Sequence, residues 1–232
     1  MFYSYCILFF IYSLIGWLME VLLTLYNEHK FVNRGFLLGP CCPIYGFGCI
    51  ILYLLLKPYT NNVIVLFILT LFTCSVIEYI TSYFMEKIFR LRWWDYSNLK
   101  YNLNGRICLE TMLPFSVLGV LSIKYITPFL LNIVTISKLT IIITIILLTI
   151  FIIDITISLT IVFKLKFVSK KNTDATYDIK NAIKKFIKTD LYLYERIIES
   201  FPNLTKIAKK IRNKFQKSFP IFFLQRKYLL HF

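Results

Sequence analysis

Apolar runs of about twenty residues recur along the first two thirds of the chain, separated by connectors rich in charge, Asn, Gly or Pro. A bilayer core takes about 20 mostly apolar residues per helix. Five runs meet or approach that length: about 3–26, 36–56, 63–84, 107–126 and 139–163. The first has no basic leading region and no small-residue cleavage site, which predicts a retained span and not a signal peptide. Gly39, Pro40, Pro43, Gly46 and Gly48 interrupt the second, so its first third is expected to be a loop or a half-helix dipping into the membrane. The fourth carries Pro114 and Gly119. The fifth, "LTIIITIILLTIFIIDITISLTIVF", holds one charge, Asp154.

Composition agrees with this pattern. The chain is 58% hydrophobic with a mean hydropathy of +0.67, above the roughly 45–50% apolar usage of soluble domains. The expected class is all-α, a polytopic helical membrane protein of about five transmembrane helices. Charge then divides the chain in two: the formal net charge is +15, and 17 of the 27 Lys and Arg residues lie from Lys164 onward. Residues 1–163 read as a transmembrane domain and 164–232 as a basic cytoplasmic tail. Within the tail, Ile179, Ile183, Phe186 and Ile187, then Leu204, Ile207, Ala208, Ile211 and Phe215, recur at helical spacing on either side of Pro202. They predict two basic amphipathic helices, which lie on anionic lipid headgroups or pack on a partner protein. Nucleic acid is not an expected partner, because no reader motif accompanies the charge.

Five spans put the termini on opposite faces. The loops after the first and third spans, together with the tail, hold 24 of the basic residues, and the other face has only Lys57, Lys124 and Lys138. Cytoplasmic loops carry the Lys and Arg excess, so the N-terminus is expected outside, with both Arg-bearing loops and the tail inside.

In that orientation Glu20, Glu78, Glu110 and Asp154 fall in the cytoplasmic half of their helices. An ionised acid near the bilayer centre costs about 2.5–3.5 kcal/mol on the insertion scale, so such a residue marks a functional-site candidate. Two stretches resemble each other: each has a glutamate late in an inward helix (Glu20, Glu78), then a polar loop ending in Asn, Gly and Arg (Asn33-Arg34-Gly35, Asn104-Gly105-Arg106), then a returning helix broken by Pro and Gly. They read as a tandem repeat, and paired Gly/Pro-interrupted segments point to a transporter's binding site. The expected polar site is Glu20, Arg34, Glu78, Asp95, Arg106 and Glu110. A purely structural reading stands beside it: Arg34 and Arg106 would fasten loop to bundle through Glu20 and Glu78. Glu110 would be an i to i+4 partner of Arg106, Trp93 and Trp94 would be interfacial anchors, and Asp154 would be structural or incidental.

The six cysteines and two histidines lack metal-ligand spacing and no GxxxxGK[ST] loop is present, so no metal, cofactor or nucleotide site of the chain's own is expected. The blocks "YSLIGWLMEVLL", "FVNRGFLLGPCCPIYGFG", "IEYITSYFMEKIFRLRWWDYS" and "YNLNGRICLE" resemble the ABC-transporter type IV permease family of bacterial integral membrane proteins, over residues 4 to 125. "SFPNL" at 200–204 resembles a short tail motif of the same group. The resemblance implies a multi-pass plasma-membrane permease, with any ATPase on a separate subunit and a homo-oligomer as another possible assembly. Its characteristic positions are Gly16, Trp17, Glu20, Asn33, Arg34, Gly35, Gly39, Pro40, Pro43, Tyr45, Gly46, Glu78, Trp93, Trp94, Asp95, Tyr96, Asn104, Gly105 and Arg106. Two other classes stay open: a membrane enzyme acting on a lipid or isoprenoid phosphate, which no nucleophile constellation favours, and a non-catalytic adaptor that recruits a partner through its tail.

Overall fold

The computed structural model describes residues 2–29, 31, 33, 35–89, 92–134 and 137–170. Arg34 and both expected tail helices lie outside the described residues. Helix α1 (Phe2–Glu28) is followed by α2 (Pro43–Leu56), which ends in a 3₁₀ turn (Lys57–Tyr59), and then by α3 (Val63–Phe89). A two-residue ladder of β1 (Asn102–Leu103) and β2 (Ile107–Cys108) precedes α4 (Leu109–Leu121). A π turn (Ser122–Ile126) joins α4 to α5 (Thr127–Ile133), and α6 (Lys138–Lys170) closes the described chain.

Among the described residues, four helical stretches are long and apolar enough to cross a membrane: Phe2–Tyr26, Val63–Phe89, Leu109–Ile133 and Lys138–Thr160. The fifth apolar helix, Pro43–Tyr59, is shorter, because the preceding segment from Gly35 to Cys42 is not helical. The interruption expected from Gly39, Pro40 and Pro43 is therefore real, with Pro43 opening the helix where a missing N–H costs nothing. Ile64, Ile68 and Phe72 on α3 and Ile142, Ile145 and Ile146 on α6 face outward and exposed. So much outward apolar surface suits lipid, not water.

Proline also explains the π turn. Pro128 has no N–H to give the carbonyl four residues back, and its ring crowds that carbonyl. The ladder widens instead, and the Thr127 N–H bonds the Ser122 carbonyl. The helix thereby continues to Ile133, past the 126 expected. A buried hydroxyl cluster secures the turn to α1: Tyr12 Oη lies 2.6 Å from Thr127 Oγ1, and Ser122 Oγ donates to Tyr12 Oη at 3.0 Å. Above it, Leu52, Tyr53, Leu56, Leu66 and Ile123 form an apolar core.

At the other end, the rings of Phe36, Phe89, Trp93 and Phe163 gather, with Phe89 5.5 Å from both Trp93 and Phe163. The C-terminal ends of α3 and α6 thus share one end of the bundle with the segment after α1. Irregular backbone at membrane depth persists only where protein satisfies it. Here the Cys42 N–H bonds the Ser13 carbonyl at 3.0 Å, halfway along α1. The N–H groups of Leu38 and Gly39 reach the Asp154 carboxylate at 2.8 and 2.7 Å.

Candidate functional site

Glu20 of α1 and Glu78 of α3 lie near one another in the bundle. They lie close enough to repel each other, and Glu78 is 9% exposed. Each receives a tyrosine hydroxyl from an element that follows it in sequence. Tyr45, in the first turn of α2, donates to Glu20 Oε1 at 2.5 Å. Tyr96, in the loop before the β ladder, brings its hydroxyl near Glu78, with Thr111 of α4 also within reach of it. Burial pushes the Tyr96 phenol well above its ordinary value, and the charges of Glu78 and Glu20 add to the shift. The phenol therefore keeps its proton and serves as a donor.

Local structure dictates how Tyr45 gets there. Gly16 and Glu20 are one helical turn apart on α1, and the Tyr45 ring lies in the space where a Gly16 side chain would be. Phe115 of α4 packs at 6.0 Å against the other side of that ring. Trp17 Nε1 donates to Asn33 Oδ1 at 2.6 Å, which holds the loop after α1 near the same turn. Gly35, with φ +149, has Cys42, Cys41 and Trp17 around it. Pro40 is exposed.

Arg106 has a different partner from either one expected. It bonds Glu86 at 2.7 Å, not Glu78 or Glu110, and Glu110 stands exposed in the first turn of α4. The reason is the turn before it. Asn104 and Gly105 both have positive φ, 55° and 67°, and the Arg106 N–H returns to the Leu103 carbonyl at 3.0 Å, the geometry of a hairpin reversal. This lays the guanidinium along α3, 5.7 and 5.4 Å from the Tyr79 and Tyr83 rings and 3.4 Å from Ser82 Oγ, one turn past Glu78. Asn104 Nδ2 adds a bond to Tyr79 Oη at 2.9 Å.

The expected residues thus separate into two neighbouring groups. Glu20 and Glu78 form an acid pair with Tyr45 and Tyr96. Arg106 and Asp95 belong to a loop network with Glu86 and Arg92: Arg92 lies 3.0 Å from Glu86 and 3.5 Å from Asp95. Trp94 donates to the Arg106 carbonyl at 2.9 Å, whereas Trp93 packs on Phe36 and Phe89. Glu86 and Arg92 were not among the sequence candidates, since charges at a helix end look like an ordinary solvated terminus. Among the described residues, neither Glu20 nor Glu78 has an ion-pair partner.

Partial burial pushes the Asp95 carboxyl up, but the Ser97 hydroxyl and N–H and the Arg92 guanidinium outweigh it and hold the group below the usual aspartate range. A depressed folded value means that its support of the loop is present above the ordinary range and lost as pH falls through the folded one. Acid titration followed by tryptophan fluorescence is expected to show a step below the ordinary aspartate value that Asp95→Asn removes. An identical titration in the variant would deny Asp95 this role.

Long apolar helices and a broken returning helix define a polytopic helical membrane protein. The chain belongs to the family described as "Putative ABC-transporter type IV", which matches residues 7–159 and so extends beyond the recognised motifs through Asp154. No curated protein and no solved structure matches the chain.

Proposed function

We propose that the chain is a plasma-membrane transport permease subunit whose polar site is centred on Glu20 and Glu78. The observation that carries this reading is the proximity of two carboxylates, one from each helix–loop–helix unit, with the Tyr45 hydroxyl on Glu20 and that of Tyr96 near Glu78. Two adjacent ionised carboxylates in a low-dielectric interior repel strongly, and a proton or a cation between them relieves that cost. Such a pair therefore suits a step in which charge enters and leaves the site. The broken segment before α2 ends beside Tyr45, the arrangement that transporters use where backbone lines a binding site.

The excess of basic residues in the two loops and the tail favours a cytoplasmic position for this end of the bundle, with the N-terminus outside. The tail would rest on anionic lipid headgroups. Any energy from ATP would come from a separate subunit, and a homo-oligomer is the other assembly compatible with the family resemblance. In a strain lacking the chain, wild type is expected to restore the solute profile, and Glu78→Gln to fail at equal membrane abundance. Full restoration by Glu78→Gln would sink the reading.

A further inference from the structure

The end of the bundle away from the acid pair holds a cavity of about 390 Å³ between the 3₁₀ turn and the π turn. Its floor is closed: Ile123 is fully buried and Tyr53 is 5% exposed. Its polar lining is Lys57, Thr60, Asn61 and Lys124. The Thr60 hydroxyl is engaged with the Lys57 carbonyl at 3.0 Å and holds the turn, leaving the Asn61 amide as the neutral donor of the lining. Lys57 lies 5.4 Å from the Tyr53 ring and Lys124 5.8 Å from that of Tyr125.

The charge balance at this end is one-sided. Among the described residues, Glu20, Glu78, Glu86, Asp95, Glu110 and Asp154 all lie toward the other end of the bundle, and neither lysine has an ion-pair partner. Two lysines lining one cavity give it a positive potential, which a bound anion would neutralise. Sequence gives no reason for their sharing one cavity, since Lys57 and Lys124 are far apart in the chain. The fold supplies it through the π turn, which buries Ser122 and Ile123 while Lys124 lines the cavity. Such turns recur where helices carry function.

We propose that this cavity binds a phosphate-type oxyanion, carried on a lipid headgroup or free in solution. Lys57 and Lys124 supply the charge, as lysines do toward phosphate, and Asn61 supplies a neutral hydrogen bond. This site does not depend on the acid pair or on the transport reading.

The experiment uses the full chain in nanodiscs. With mixed phosphatidylcholine and phosphatidylglycerol, native mass spectrometry is expected to show retained phosphatidylglycerol falling roughly fivefold in Lys57→Gln and in Lys124→Gln. The fall is larger in the double variant and absent in Lys138→Gln, which removes a charge at the same end but outside the cavity. In discs of phosphatidylcholine alone, inorganic phosphate is titrated against thermal unfolding. Stabilisation lost in the double variant identifies a free anion as ligand, whereas lipid retention without it identifies the headgroup. Should the glutamine variants not fold, amine-reactive labelling of the wild-type protein decides: phosphatidylglycerol or phosphate should protect Lys57 and Lys124 and not Lys138. Equal labelling of all three, or a double variant indistinguishable from Lys138→Gln in both assays, overturns the proposal.

Discussion

Asp154→Ala is expected to destabilise the folded protein by about 3 kcal/mol, because it removes the acceptor of two backbone N–H groups in a partly buried, non-helical segment. The carboxylate takes one bond from Leu38 and one from Gly39, and Ser158 Oγ, one turn on along α6, donates to it at 3.1 Å. Bonds to a charged acceptor are worth roughly twice neutral ones. The damage should be local in origin, because the same substitution leaves the apolar faces of α6 untouched. Thermal unfolding in detergent or nanodiscs measures it, with Asp154→Asn falling between wild type and alanine because one carbonyl acceptor survives. An alanine variant as stable as wild type would mean that the segment from Gly35 to Cys42 is held by something else.

Gly46→Ala is expected to cost about 2 kcal/mol, in the range for overpacking a tight interface. An added Cβ would meet Ser13 Oγ and would stand 2.6 Å from both the Phe9 ring and the Phe9 carbonyl oxygen. A side chain can swing aside, but a helical carbonyl cannot, so α1 and α2 would have to separate. Small residues at helix crossings let backbones approach in a membrane, where no hydrophobic drive brings helices together. The contrasting site is Gly16, whose added Cβ would first meet the Tyr45 side chain and not a helical carbonyl. If Gly46→Ala melts at the wild-type temperature, the close crossing is not a determinant of stability.

Much of the architecture was readable from the chain, and the reasons are specific. Long apolar runs declare spans because lipid allows few alternatives, and the Gly/Pro interruption before Pro43 marked the irregular segment correctly. Glu20 and Glu78 stood out because a membrane makes acids expensive. Their partners were marked only by the family resemblance and not paired with them: Tyr45 and Tyr96 are two of 16 tyrosines, and the folded loops bring them to the acids. Arg106 was paired with Glu78 through the repeat and with Glu110 by helical spacing, whereas the Asn104-Gly105 reversal sends it to Glu86. That dipeptide, between Leu103 and Arg106-Ile107, was the available signal for a hairpin. The role of Asp154 was hidden for another reason. Its partners are backbone amides, and no pattern of side chains reports them.

The tether from α6 to the broken segment also orders the assembly of the protein in time. The Leu38 and Gly39 amides find their acceptor 116 and 115 residues further along the chain. During synthesis the first two spans emerge long before Asp154 exists, and until then those amides can be satisfied only by water or by provisional partners. The irregular segment therefore takes its final depth late, when α6 enters the bilayer and supplies the carboxylate. The connection between the first two helices is completed by a helix made more than a hundred residues later.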